Sequence, residues 1–164
     1  MDFVDKLRDI SARISEHGLQ VETEEATKNA FIMPFISALG YDVFNPSEVI
    51  PEFTADVGTK KGEKVDYAVT KDGKVILLIE CKKISADLQK DHASQLYRYF
   101  STTEARFGVL TNGSDYAFYS DIDESNKMDS KPFFEFNLLD FDDIQVAGFV
   151  LLPFGLNYGS GYAL

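Results

Sequence analysis

Three carboxylates and an ammonium, Glu24, Asp66, Glu80 and Lys82, have the types and spacing to build one charged pocket. Two bare carboxylates about 4 Å apart repel by about 4 kcal/mol at an effective dielectric near 20. Lys82 offsets only part of that, so the cluster calls for protonation or for a divalent cation. Ligands that are all oxygen suit Mg²⁺ or Mn²⁺. An ion held partly by carboxylates and partly by water can bind a phosphate and activate a water for in-line attack. An ammonium beside it would stabilise the charge that develops. Plainer readings stand next to this one: Asp66 and Glu80 as solvated charges at strand ends, and Glu24 as a favourable first-turn acid. Glu25 competes with Glu24, because a helix turns by about 100° per residue and both cannot point the same way.

The stretch 64–83 must do the positioning. It reads as two strands around Asp72-Gly73, the first opening with Asp66 and the second closing on Glu80, Cys81 and Lys82. Side chains alternate faces along a strand, so Glu80 and Lys82 share one face and Cys81 takes the other. The turn decides whether Asp66 joins them. A two-residue turn pairs Lys71 with Lys74 and Asp66 with Ile79, which turns Asp66 away from Glu80. A three-residue loop pairs Thr70 with Lys74 and Asp66 with Leu78, which makes Asp66 a diagonal neighbour of Glu80 on its own face. The three-residue loop is the expected register.

Helical stripes precede the hairpin. Phe3, Leu7, Ile10 and Ile14 recur at spacings of three and four, with Gly18 as a stop. Thr23 caps a second helix that carries Glu24 and Glu25 in its first turn and continues to Gly40, with a kink expected at Pro34. This helix is apolar nearly all round and should be buried. Residues 49–53, with Pro51, read as an edge strand, and 54–63 as a polar loop. After the hairpin, 85–102 reads as a helix capped by Ser85, with Leu88, His92, Gln95, Leu96 and Tyr99 on one stripe. Strands follow over 106–110, 116–119 and 132–138, separated by a turn at 111–115 and a charged loop at 121–131.

With 164 residues the chain fits one domain over 1–164, in which 149–164 form an atypical tail of aromatics and glycines without periodicity. A hydrophobic fraction of 45% argues for a packed globule rather than disorder. No apolar run approaches a membrane span, and no signal peptide is visible. One cysteine excludes an internal disulfide and fits a reducing, cytoplasmic setting; Cys81 reads as a small buried hydrophobe. His17 and His92 lack metal-ligand spacing, and there is no phosphate loop, Ser-His-Asp order or zinc pattern. A net charge of −11 counts against strong autonomous DNA binding, which usually rests on basic surface. It leaves room for a catalytic module whose local field is set by a metal.

Asp66 followed by Glu80-Cys81-Lys82 at the end of an apolar strand resembles the PD-(D/E)xK nuclease motif, with Val65-Asp66 where Pro-Asp is usual. The wider pattern, Thr23-Glu24-Glu25-Ala26-Thr27-Lys28, Pro34, Leu39-Gly40-Tyr41-Asp42 and Gly62-Glu63-Lys64-Val65-Asp66-Tyr67, is similar to the N-terminal nuclease domain of type I restriction enzyme restriction subunits. Gln95 and Tyr99, four apart, look like that group's accessory motif. The resemblance covers about residues 3–146. It implies an α/β, three-layer restriction-endonuclease-like fold, with a mixed central β-sheet flanked by helices. It further implies a Mg²⁺- or Mn²⁺-dependent DNA endonuclease, with DNA and restriction-modification subunits as partners. Carried over, Asp66, Glu80 and Glu24 would bind metal and Lys82 would orient or activate the water. Gln95 and Tyr99 would position the site or contact the DNA backbone. The tail departs from the family, whose members usually continue into a basic helix. A non-catalytic DNA- or protein-interaction module keeping the nuclease fold, in a restriction or prophage system, is the alternative. A repair or recombination nuclease would share the chemistry and differ in substrate.

Overall fold

The computed structural model describes residues 1–54, 63–89 and 93–152, the side chain of Val150 excepted. The expected loop over 54–63 falls mostly outside them, as do Gly62, His92 and the tail beyond Leu152. Helix α1, Phe3–His17, is capped by Asp2, whose carboxylate accepts from the Asp5 N–H at 2.9 Å, and it buries Phe3, Leu7, Ile10 and Ile14. That is the stripe expected from the spacing. Helix α2, Glu24–Thr27, starts at Thr23, whose hydroxyl accepts from the Ala26 N–H at 3.1 Å. It runs without a break into a π-helical turn, Lys28–Ile32, and then into α3, Met33–Ala38. The irregularity expected at Pro34 thus takes the form of a wide turn just before it. Proline offers no N–H to the carbonyl four residues back, and Arg13 Nη1 from α1 donates to that carbonyl, Ala30, at 3.0 Å.

Among the described residues six strands follow: β1 Val49–Phe53, β2 Val65–Lys71, β3 Lys74–Cys81, β4 Phe107–Thr111, β5 Asp115–Tyr119 and β6 Phe134–Asn137. They form one mixed sheet in sequence order, antiparallel throughout except for the parallel pair β3–β4. The crossover between those two carries α4, Ser94–Phe100, and α5, Asp143–Leu151, closes the described fold. One sheet face packs Tyr67, Val69, Leu77, Ile79, Cys81 and Phe118 against α1, α3 and Phe149 of α5. The other packs Ala68, Leu78 and Leu110 against Leu96, Tyr99 and Phe100 of α4. The architecture is a three-layer α/β fold. Among the described residues no helix is long and apolar enough to cross a membrane.

Three expectations are corrected. Helix α4 begins at Ser94 rather than Ser85. Asp87 Oδ1 accepts from the Gln89 N–H at 2.9 Å, a local turn that competes with helix, and Asn112 Nδ2 holds the Ala86 carbonyl at 2.8 Å. Of the residues read as an atypical tail without periodicity, 149–151 complete α5, and Phe149 lies in the core. The hairpin register also differs. Lys71 pairs with Lys74 around a two-residue turn in which Asp72 and Gly73 have φ of 52° and 75°, the left-handed pair that a type I′ turn requires. Thr70 then pairs with Val75 but Val69 with Leu77, so Ile76 is an extra residue, a β-bulge. Pairing proceeds through Ala68–Leu78 and Tyr67–Ile79. Continued by one step, it sets Asp66 directly against Glu80. The three-residue loop is wrong, yet the shared face it was meant to explain is restored by the bulge.

Candidate functional site

Strands β2 and β3 bring their two carboxylates together where both leave the sheet core. Asp66 turns one oxygen, Oδ2, to the Cys81 N–H at 2.7 Å. Glu80, whose side chain is 5% exposed, binds Lys82 Nζ through Oε1 at 3.2 Å. Its second oxygen, Oε2, is buried and has no hydrogen-bond partner among the described residues. Burial, and then the negative charge of Asp66, raise the Glu80 carboxyl to about 7, against a smaller opposing pull from Lys82. A buried acid without full hydrogen bonding is penalised when ionised. Cys81, between Glu80 and Lys82 in sequence, is buried on the opposite face, and burial pushes its thiol well above the ordinary range, so a nucleophilic role has no support.

Helix α2 and the π turn deliver the remaining charges. Thr27 ties them to the sheet: its hydroxyl accepts from the Ile84 N–H at 3.0 Å, just past Lys82, while donating to the Thr23 carbonyl at 2.9 Å. Lys28, next in line, is the residue that sequence reasoning did not assign. Its side chain is only 10% exposed, and its ammonium pairs closely with Asp66 Oδ1. The same ammonium lies 2.9 Å from Glu25 Oε1 and 3.7 Å from Glu24 Oε1. Burial acts to lower its pKa, but the hydrogen bonds to Asp66 and Glu25 outweigh that and the net shift is upward, so Lys28 is charged. A signal was present in the sequence. A single lysine in a helix apolar nearly all round needs a partner, and acids stand three and four residues before it.

Glu24 therefore reaches the cluster from the helix side, with Lys28 between it and Asp66, and its charge also adds to the upward shift of Glu80. Glu25 is 77% exposed and engages the cluster through Lys28, against 44% for Glu24. Gln95 and Tyr99 share one face of α4, but they point at the protein's own backbone. Gln95 Nε2 donates to the Lys64 carbonyl and the Tyr99 hydroxyl to the Glu63 carbonyl, both just upstream of Asp66. Arg98 adds two bonds to the Glu63 carboxylate, at 2.6 and 3.3 Å. The three residues clamp the entrance of β2.

Among the described residues no three of His, Cys, Asp and Glu converge closely enough to hold a metal by themselves. Two carboxylates facing each other, one with an unbonded buried oxygen, still suit an ion such as Mg²⁺, which commonly takes one or two carboxylates and keeps several waters. The donor set fits on that basis. A concavity of about 630 Å³ lies across β4, β5 and β6 and contains none of these residues.

Comparison with family descriptions matches residues 23–132 to the Type I restriction enzyme R protein N terminus. Comparisons with curated proteins and with solved structures give no match.

Proposed function

Because the chain belongs to the family of the Type I restriction enzyme R protein N terminus, we propose that it is a PD-(D/E)xK endonuclease domain that hydrolyses DNA phosphodiester bonds with Mg²⁺ or Mn²⁺. The observation that carries the reading is the meeting of Asp66 and Glu80 across two strands, with Lys82 on Glu80 and one buried Glu80 oxygen unbonded. In this reading Asp66 and Glu80 hold the ion, and Glu24 approaches it from α2. When bound, the ion supplies a Lewis acid for a phosphoryl oxygen and lowers the pKa of a water. Lys82 keeps a positive charge at the Glu80 carboxylate, where it can orient the attacking water and offset charge building on the phosphate. Gln95 and Tyr99 act as positioning residues by holding the start of β2. The same reading takes the chain as one domain, with DNA as substrate, restriction-modification subunits as partners and the cytoplasm as its place.

The test is plasmid cleavage. The wild-type chain should nick or cut supercoiled DNA with Mg²⁺ or Mn²⁺, and Asp66→Ala should lose activity by about a hundredfold or more, since disturbing even the outer shell of a metal site costs about 10- to 100-fold. Equal cutting by the variant would end the proposal. One observation favours a second reading, a non-catalytic interaction module: Lys28 already balances the charge of Asp66 without any metal. Intact plasmid together with no metal binding up to millimolar Mg²⁺ in the presence of DNA would select it.

A further inference from the structure

Of the four carboxylate oxygens that Asp66 and Glu80 present, three are engaged. Asp66 Oδ1 is taken by Lys28, Asp66 Oδ2 by the Cys81 N–H, and Glu80 Oε1 by Lys82. Of the four, only Glu80 Oε2 has no partner among the described residues. Lys82 follows the strand out, but Lys28 comes from a different element and projects a buried ammonium onto the carboxylate that faces Glu80. We propose that Lys28 is a resident counter-cation of this pocket, holding the Asp66 side and exchanging places with a divalent ion when one binds. The inference rests on the metal-centre reading above and assigns a role to a residue outside that machinery.

The surroundings suit exchange rather than expulsion. A lysine ammonium is a compact charge on a flexible stem, able to change partners without moving the helix. Glu25 and Glu24 stand on the same helix, at 2.9 and 3.7 Å from it, and both are more exposed than Asp66. An ammonium leaving Asp66 stays paired with Glu25, which is outside the metal centre, so its charge is never stranded in the interior. A bound divalent ion then restores the positive charge that Asp66 loses. Lys28 would balance the charge of Asp66 in the empty pocket and would raise the metal concentration needed to fill it.

Calorimetric titration of Mn²⁺ into wild type and Lys28→Met tests this, with circular dichroism as the check on folding. Removing a competing charge from within contact distance should tighten Mn²⁺ by about tenfold or more. The melting temperature of Lys28→Met without metal should fall, and saturating Mn²⁺ should bring it back to that of wild type. If the variant is unfolded without metal, Mn²⁺ should refold it, because one cation replaces the other. Unchanged or weaker Mn²⁺ binding by a folded variant overturns the exchange while leaving the metal centre intact. A variant that Mn²⁺ does not refold overturns it too. Absence of binding by both chains up to millimolar Mn²⁺ removes the metal centre and the exchange together.

Discussion

At the scale of single residues, Glu80 carries a cost that pH should reveal. Its carboxyl sits near 7 in the folded chain against an ordinary value of 4.5, because it is buried beside Asp66. Between those values the folded chain holds a proton that the unfolded chain has released. Stability therefore falls as pH rises through that window, by about 3 kcal/mol at most. Glu80→Gln, which cannot ionise, should be more stable than wild type at pH 8 by about 3 kcal/mol and at pH 5 by less than about 1 kcal/mol. Urea melts at the two pH values measure this; the same difference at both would show that ionisation of Glu80 is not what costs. Glu80 and Lys82 were legible as a pair because strand alternation and an apolar strand end are local signals, whereas Asp66 joins them through a bulge that carried no signal. The Lys28–Asp66 pair was not legible either, since it needs the docking of a helix onto a strand nearly forty positions later in the chain.

At the scale of elements, one-residue irregularities decide which way the charges face. The period-two pattern of β2 and β3 was readable, and so was the turn residue Gly73, but the bulge at Ile76 was not. A bulge adds no composition signal when the extra residue is as apolar as its neighbours. Helix α4 shows a different failure. Its stripe of Gln95, Leu96 and Tyr99 is real, yet the residues before it form turns pinned by Asp87 and Asn112. What α4 does for the site is hold the entry of β2. Tyr99→Phe removes the bond to the Glu63 carbonyl and should cost about 1 kcal/mol. Amide exchange at Val65 and Asp66 should quicken more than exchange in β5. A uniform change across the sheet would instead mark Tyr99 as ordinary core.

For the molecule as a whole, the two halves of the sheet meet only along the parallel β3–β4 pair, and the helical layer behind them provides the common support. Phe149 is central to that layer. It is fully buried, and its ring lies 4.9 to 5.9 Å from the rings of Phe3, Phe35, Phe118, Phe134 and Phe136. These come from α1, α3, β5 and β6. The aromatic wealth of the chain was visible in its composition, but the assignment of Phe149 was not: four apolar residues in a row carry no periodicity, and the capping box at Asp142 and Gln145 that starts α5 went unread. Phe149→Ala should cost about 3 to 5 kcal/mol, read from the urea midpoint. A loss below about 1 kcal/mol would mean that the cluster closes over the gap. A chain stopped at Asp142 would lay bare five aromatic rings at once. Such a fragment should be sticky rather than merely less stable, gathering into oligomers through the uncovered patch.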